Sequence, residues 1–318
     1  MKRPKFMKGP LFYSKILLFG EYGIIKDSKG LSIPYNFYNG ALKLDGNSSD
    51  EAKRSNKSLT GFVEYLENLQ NEQPDLVTFD LTALRKDISE GMYFDSSIPQ
   101  GYGVGSSGAL VAAVYDKYAK DKITVLENLT REKLLKLKAV FGAMESFFHG
   151  TSSGLDPLNS YLSIPILINS RNNIEPTGIP SQNNKGKGAV FLLDSGTTGE
   201  TAPMVQIFME NMKQEGFRKM IKDQFVKHTD ACVDDFLKGD FKSLFGNLKE
   251  LSHVVFDNFK PMIPAQFHKL WENGIQTNDY YLKLCGSGGG GYILGFTQDI
   301  DKARHALKGH KLEVVYNF

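Results

Sequence analysis

The distribution of apolar and polar positions predicts mainly strands in the first part of the chain. Residues Leu11–Ile25 are largely apolar and aromatic with glycine punctuation, which predicts a strand, a turn and a second strand. The polar, turn-rich run Asp45–Lys57 is typical of a surface loop. A helical pattern follows at Gly61–Asn71, and Met92–Ile98 predicts a short strand that leads into a segment rich in glycine and serine.

The second part of the chain is richer in helical patterns. Thr130 is placed to cap a helix, since apolar residues recur after it at steps of three and four, at Leu134, Leu137, Val140, Phe141, Met144 and Phe148. Several amphipathic helices are predicted between Pro203 and Lys269, and strand character returns at Tyr280–Phe296. A helix at Asp301–Lys308 and a strand at Lys311–Tyr316 complete the pattern. This order favours an α+β fold over a regular βαβ alternation.

Composition and charge narrow the classes of function. The chain has 318 residues, of which 41% are hydrophobic, so it can bury a core of about two lobes. A net charge of +2 gives no basic excess that would attract nucleic acid or an anionic membrane. No stretch approaches the ~18 consecutive apolar residues of a membrane helix, and we expect a cytoplasmic protein. Two distant cysteines exclude a disulfide framework and a cysteine-based zinc site.

The segment Gly101–Ser107 (GYGVGSS) is the first candidate for chemistry. Glycines without side chains let backbone N–H groups approach a ligand, and the segment ends where a helix is predicted, an arrangement that suits a phosphate. The G-x-G-x-x-G spacing also occurs in dinucleotide folds and protein kinases. Pro99 and Gln100 replace the strand that a dinucleotide fold needs, and the chain has no HRD or DFG sequence. A plain glycine turn with a serine cap remains the alternative.

Two carboxylates and a histidine form the second candidate. Glu145 falls at the edge of an apolar helix stripe, where a carboxylate needs a partner such as a cation. Asp156 precedes Pro157 in a serine and glycine turn, where aspartate is also common for conformational reasons. One carboxylate to hold magnesium and another to accept a hydroxyl proton are parts that phosphoryl transfer requires. His149 is consistent with either a scaffold or a catalytic role.

The third candidate is the glycine cluster in KLCGSGGGGYILGF, which begins at Lys283. A hairpin turn needs only one or two glycines, and additional ones cost folding entropy. The cluster therefore predicts a close approach of backbone to a ligand or to another loop. Cys285 within it is expected to be a small buried residue.

Four segments in order along the chain resemble the GHMP small-molecule kinases, and most closely the mevalonate kinases within that superfamily. Three of them are SKILLFGEYGII at Ser14–Ile25, PQGYGVGSSGAL at Pro99–Leu110 and the glycine cluster near the C-terminus. The fourth, ESFFHGTSSGLDP at Glu145–Pro157, resembles the form that mevalonate kinases carry on the substrate side. Several motifs in family order are far more specific than one glycine pattern.

The resemblance implies a two-lobed α+β fold and a set of functional positions. Residues 1–170 would form an N-terminal lobe like domain 2 of ribosomal protein S5, which carries the ATP-binding loop, and residues 171–318 a ferredoxin-like C-terminal lobe. Asp156 and Lys15 would be catalytic, and Ser107 and Glu145 would hold Mg²⁺. The remaining implied positions are Gly101, Gly103, Gly105, Ser106 and Ser107 for ATP, Glu21, Tyr22, His149 and Thr201 for the substrate, and Gly286, Gly288 and Gly289 for support of the phosphate loop.

The implied activity is ATP-dependent phosphorylation of a small alcohol, with mevalonate converted to 5-phosphomevalonate and ATP to ADP. The chain departs from the family pattern at Tyr22, where mevalonate kinases usually have histidine, and at Gly199, where arginine is frequent. Other acceptors therefore stay open, namely phosphomevalonate, homoserine or a sugar. A catalytically silent nucleotide-binding protein is a further alternative, and a nicotinamide dehydrogenase is less favoured. The family also forms dimers, so a homodimer is compatible with the resemblance.

Overall fold

The computed structural model describes residues 7–124, 128–170, 172–183 and 185–318. The chain forms two compact units, and each of them is discontinuous in sequence. The first unit consists of residues 1–15, 34–99 and 105–164, and the second of residues 16–33, 100–104 and 165–318. The second unit thus takes two short segments from the first half of the chain, which the sequence-based division at residue 170 did not include.

The first unit combines strands with helices that carry most of its core. Helix α3 packs against α4 and α5, and α1 packs on β4. Strand β3 pairs antiparallel with β1 and with β4, with Leu42 opposite Phe94. The strands are β1 (Met7–Lys8), β2 (Phe12–Phe19), β3 (Gly30–Leu44) and β4 (Tyr93–Ser96), of which β2 and β3 also extend into the second unit, and the helices are α1 (Asp50–Glu72), α2 (Leu81–Ser89), α3 (Ser106–Tyr118), α4 (Arg131–His149) and α5 (Leu155–Leu162).

Two helix starts in the first unit follow from side-chain caps. Thr130 accepts a hydrogen bond from the Lys133 amide, which confirms the predicted cap of α4. The predicted loop at Asp45–Lys57 was wrong in its second half, because α1 begins at Asp50. The Ser49 side chain accepts from the Ala52 amide, and acidic residues in the first turn favour the helix start. The polar composition of this segment is typical of a loop, but the cap at Ser49 stabilises a helix from Asp50 onward.

The second unit contains six strands and six α-helices in the part of the chain that is described, in addition to segments of β2 and β3. Where a second strand was predicted after Gly20, a 3₁₀ turn occupies Gly23–Lys26, flanked by Tyr22 and Asp27 with positive φ. The strands are β5 (Ile166–Ser170), β6 (Asn173–Pro176), β7 (Ala189–Asp194), β8 (Tyr281–Leu284), β9 (Tyr292–Thr297) and β10 (Leu312–Asn317), and the helices are α6 (Thr201–Asn211), α7 (Glu215–Met220), α8 (Lys227–Lys238), α9 (Phe241–Asn258), α10 (His268–Thr277) and α11 (Ile300–Ala306). A π-helical turn at Ile221–Val226 joins α7 to α8.

Four strands of the second unit form an antiparallel sheet in the order β10-β7-β9-β8. Helices separate β7 from β8 and β9 from β10, which is the ferredoxin-like arrangement. Strand β7 pairs with β9 along its whole length, and helices α9 and α10 pack on β8. The predicted α+β class and the ferredoxin-like part of the fold are confirmed. No helix in the described ranges is long and apolar enough to cross a membrane.

Candidate functional site

The start of helix α3 forms one side of a polar cluster in the first unit. The helix begins at Ser106, after Gly105 with a φ of 82° and a ψ of 40°, and no side chain caps it. A Cβ on Gly105 would lie 3.1 Å from Cγ of Lys15, so the backbone passes close to that side chain. First-turn N–H groups have no carbonyl partner within an α-helix, and they attract anions. The predicted phosphate position therefore has the local structure that it requires.

Glu145 of α4 is the centre of this cluster. Its side chain is buried, its Oε1 accepts a hydrogen bond from the Ser107 hydroxyl at 2.8 Å, and its Oε2 accepts one from Ser152. His149, which is exposed at the end of the same helix, places Nε2 at 3.0 Å from the Ser107 hydroxyl oxygen. The structure thus brings together three predicted residues, Ser107, Glu145 and His149, and adds Ser152.

The electrostatic environment of Glu145 disfavours its charge. Burial, followed by the negative charge of Asp156, raises the pKa of Glu145 from 4.5 to about 7. The hydrogen bonds from Ser152 and Ser107 and the charge of Lys15 oppose this rise without cancelling it. A cation placed at the carboxylate would favour the charged form.

Lys15 and Asp156, the two predicted catalytic residues, form an ion pair. Lys15 Nζ lies 2.8 Å from Asp156 Oδ1, and the side chains are 4% and 40% exposed, respectively. The buried ammonium group is therefore held beside a carboxylate that a ligand can reach. Asp156 lies in the first turn of α5, where the helix dipole favours a negative charge.

Two glycines allow the segments of this cluster to approach each other. A Cβ on Gly108 would lie 2.8 Å from both the Asp156 carbonyl carbon and the Pro157 nitrogen. A Cβ on Gly154 would lie 2.1 Å from the Lys138 carbonyl oxygen. Gly108 does not have a positive φ, and its missing side chain instead allows α3 and α5 to pack backbone to backbone.

The glycine loop at residues 100–104 is held inside the second unit. A Cβ on Gly103 would lie 2.5 Å from the Cys285 carbonyl oxygen, and one on Gly291 would lie 2.5 Å from Tyr102 Cα. Gly101 accepts a hydrogen bond from the amide of Gly199 at 2.8 Å. Backbone atoms of the glycine cluster therefore lie against backbone atoms of the loop, as the close-approach interpretation of the cluster requires.

The three glycines predicted to support the loop have left-handed backbones. Gly286, Gly288 and Gly289 have φ values of 73°, 78° and 80°, which side chains rarely adopt. A Cβ on Gly286 would be 3.4 Å from Gly103 Cα, whereas Gly289 donates its amide to the Met262 carbonyl at 2.6 Å. Gly286 thus contacts the loop directly, and the other two hold the segment against its neighbours.

The predicted substrate residues of the second unit are engaged with other protein groups. The Glu21 carboxylate is 2.5 Å from Lys283 Nζ, and both side chains are buried. Tyr22 is buried, donates its hydroxyl to the Ser287 carbonyl at 2.7 Å and stacks on Phe208. Burial, together with the charge of Glu21, raises the pKa of Tyr22, so its hydroxyl stays protonated. Contact of either side chain with a substrate stays a prediction.

Thr201 lies at the first position of helix α6 and is exposed. The hydroxyl of Ser287 donates to its Oγ1 at 3.4 Å. The carbonyl oxygen of Ser287 accepts a hydrogen bond from the Tyr22 hydroxyl, so Ser287 contacts two of the predicted substrate residues, Tyr22 and Thr201.

Sequence reasoning missed Ser152, Lys283 and the packing role of Gly108. Ser152 is one of two serines in the HGTSSG segment at residues 149–154, and nothing in the sequence shows which of them contacts Glu145. Lys283 is the first residue of the segment KLCGSGGGGYILGF, and its partner Glu21 is 262 positions away in the chain. A contact over such a separation has no local sequence signal.

Comparison with known proteins finds a family match in part of the chain and a shared fold over all of it. Residues 65–163 match the sequence profile of the GHMP kinases N terminal domain. A search of curated proteins finds no match. The L. major mevalonate kinase in complex with R-mevalonate is 16% identical, with a TM-score of 0.64 over 100% of this chain and 99% of that one.

Two further solved structures share the fold. The Streptococcus pneumoniae phosphomevalonate kinase in complex with phosphomevalonate and AMPPNP has a TM-score of 0.61 at 14% identity, over 97% of this chain and 100% of that one. The Lactococcus lactis galactokinase complexed with galactose has a TM-score of 0.61 at 12% identity, over 99% and 94%. At these identities the likeness shows the fold alone.

The raised pKa of Glu145 predicts a specific dependence of stability on pH. The unfolded chain releases this proton near pH 4.5 and the folded protein near pH 7, so the free energy of unfolding falls as the pH rises through that window. Glu145→Gln removes the effect, and its stability relative to the wild type should increase from pH 5 to pH 8 by roughly 3 kcal/mol at most. Urea denaturation at several pH values, with Glu67→Gln as the exposed control, measures this difference. Parallel curves for wild type and Glu145→Gln would contradict it.

The packing at Gly108 predicts the effect of a single methyl group. Gly108→Ala should lower the free energy of unfolding by about 1–3 kcal/mol, because the added Cβ forces the backbone of α5 away. Gly246→Ala is the matched control, since a Cβ there meets nothing within 4 Å and alanine favours the helix by about 0.5–1 kcal/mol. The two variants should therefore shift the thermal midpoint in opposite directions. An unchanged or raised midpoint for Gly108→Ala would refute the packing argument.

Proposed function

We propose that this chain is a GHMP kinase, which transfers the γ-phosphoryl group of ATP to the hydroxyl group of a small molecule, and that this molecule is mevalonate. The observation that carries the proposal is the cluster in the first unit. It combines an uncapped helix start, a serine and glutamate pair, and a buried lysine beside an accessible aspartate. These are groups that bind phosphate, hold a divalent cation and orient a hydroxyl.

ATP binding is assigned to the segment Gly101–Ser107. Ser106 and Ser107 begin helix α3, whose free N–H groups and positive dipole end favour phosphate oxygens. The preceding Gly101 and Gly103 have positive φ, which side chains rarely adopt, and their missing side chains let the loop pack against Thr198 and the Cys285 carbonyl. The packing of Gly103 against the Cys285 carbonyl supports the proposal that the glycine cluster stabilises this loop.

Magnesium fits the residues of the first unit. Ser107 and Glu145 offer a hydroxyl and a carboxylate oxygen 2.8 Å apart, and Mg²⁺ typically takes one or two protein oxygens and completes its shell with phosphates and waters. No group of three or more His, Cys, Asp or Glu in the described ranges could hold a metal ion. The raised pKa of Glu145 is consistent with a carboxylate that a cation stabilises. When bound, the ion would neutralise charge on the transferred phosphoryl group.

Asp156 and Lys15 are assigned to the acceptor hydroxyl. The exposed carboxylate of Asp156 accepts a hydrogen bond from the hydroxyl and either takes its proton or orients it for attack. Lys15, held in place by that carboxylate, stabilises the negative charge that develops on the oxygens during transfer. Asp156 thus acts on the hydroxyl proton and Lys15 on the developing negative charge, and their charged atoms lie 2.8 Å apart.

Mevalonate is proposed as the acceptor on the motif ESFFHGTSSGLDP and on the fold shared with the L. major enzyme. Phosphomevalonate and galactose are bound by proteins of similar fold, and the resemblance implies that the departures from the family pattern at Tyr22 and Gly199 lie on the acceptor side. A comparison of these acceptors in one assay therefore tests the choice of mevalonate.

We expect ADP to form fastest with mevalonate when the protein receives ATP, Mg²⁺ and a panel of hydroxylated acceptors. The panel contains mevalonate, phosphomevalonate, homoserine and galactose, and a coupled assay follows ADP. Fastest turnover with another member would move the assignment to that acceptor. No turnover with any member, together with ATP binding, would favour a silent nucleotide-binding protein.

Asp156→Asn should lower kcat by about 10²–10⁴-fold, because the amide cannot accept the hydroxyl proton. The KM for ATP should change little, since the helix start that binds phosphate is left intact. Asp116→Asn is the matched control, because Asp116 also pairs with a lysine at 2.8 Å and lies outside the cluster. Retained kcat in Asp156→Asn would remove the proposed role of Asp156 and leave the superfamily assignment in place.

A further inference from the structure

Thr229 carries a buried hydroxyl without a hydrogen-bond partner in the described part of the protein. The residue is 1% exposed, and its Oγ1 is one of four buried side-chain polar atoms in that part that lack a partner. It lies in the first turn of α8, on a face where Phe225, Cys232, Val233 and Phe236 are all buried and apolar. A valine has the same shape and would suit that apolar face. A buried hydroxyl without a partner lowers the stability of the fold, so we looked for a group that could bind it.

A small cavity in the second unit has room for such a group. The space in it that is open to the centre of a water molecule is about 10 Å³, so a water molecule fits. Thr229 lines this cavity, and so do Glu21 and Lys283, while Phe225, Leu251 and Val255 provide apolar walls. None of the other three unpartnered polar atoms belongs to a residue that lines it.

The ammonium group of Lys283 has three N–H donors, and two oxygen acceptors are found for them. Its ammonium group donates to Glu21 Oε1 at 2.5 Å and to the Leu284 carbonyl at 2.9 Å. An ammonium group has three donors, so one N–H has no oxygen acceptor among these atoms, and the only other contact recorded for Lys283 Nζ in the described part of the chain is the Phe19 ring, whose centre is 6.0 Å away. Both charged side chains are about 95% removed from solvent, at 5% and 6% exposure, and a buried ion pair is stable only when its hydrogen bonds are complete.

We propose that Thr229 and Lys283 bind one internal water molecule in this cavity, and that the water links helix α8 to the Glu21–Lys283 ion pair. The water accepts the third proton of Lys283 and forms a hydrogen bond with the Thr229 hydroxyl. It thereby satisfies two groups that the protein itself leaves incomplete, and water is the ligand whose size and dual donor and acceptor character match the cavity.

The site has a structural consequence for its neighbours. Glu21 precedes Tyr22, whose φ of 58° and ψ of −37° are unusual for a residue with a side chain. Tyr22 in turn donates to the carbonyl of Ser287, and Lys283 stands four residues before it in the chain. The water therefore completes a network that ties the turn after β2 to the start of the glycine cluster.

Thr229→Val distinguishes a hydrated cavity from an unpaired hydroxyl by the sign of its effect. If water binds, the variant leaves Lys283 without its third acceptor, and the urea midpoint should fall. If the hydroxyl is unpaired, valine removes a buried polar group of the same shape, and the midpoint should stay or rise. Ser252→Ala is the control, because Ser252 is also buried and unpartnered but does not line the cavity, and its midpoint should not fall.

A crystal structure of the wild-type protein at high resolution supplies the second readout. The proposal requires a density peak within hydrogen-bond distance of Thr229 Oγ1 and Lys283 Nζ, and the loss of that peak in Thr229→Val. A wild-type cavity without the peak overturns the proposal, and so does a Thr229→Val midpoint equal to or above that of the wild type. If Thr229→Val does not fold, the wild-type density alone decides. Neither readout depends on the proposed kinase activity.

Discussion

Charged groups that leave water must meet a partner, and this requirement organises the functional cluster of the first unit. Lys15 is almost completely buried, and its ammonium group is stable there because the Asp156 carboxylate lies 2.8 Å away. Asp156 in turn raises the pKa of Glu145, which is already disfavoured by burial. The charges of Lys15 and Asp156 both act on Glu145, so the three groups form one electrostatic system.

Close backbone packing is what makes such a system possible. Gly108 lets α5 approach α3, and Gly154 lets the loop before α5 lie against α4, with no space for a Cβ at either position. In the second unit, Gly103 and Gly291 do the same for the glycine loop and the glycine cluster. The glycines therefore determine distances between segments, which side chains of any size would increase.

The sequence predicted the elements that depend on local chemistry. The cap at Thr130 predicted the start of α4, and the apolar pattern of the C-terminal part predicted the strands of the ferredoxin-like sheet. The prediction was wrong at Asp50, where the composition is typical of a loop but a side-chain cap starts a helix. It was also wrong after Gly20, where a turn with positive φ at Tyr22 replaces the predicted second strand. Apolar periodicity does not record backbone dihedral angles, so such turns are difficult to predict from it.

The sequence by itself determined the order of the motifs, the residue types at the candidate site and the resemblance to a superfamily of kinases. Tertiary structure alone decided which groups meet: Ser152 with Glu145, Lys283 with Glu21, and Thr229 with the other residues that line a small cavity. The physical reason is that charges and hydrogen bonds act over a few ångströms in space, whereas Lys283 and Glu21 are separated by 262 positions in the chain. Local sequence patterns carry no information about contacts of that kind.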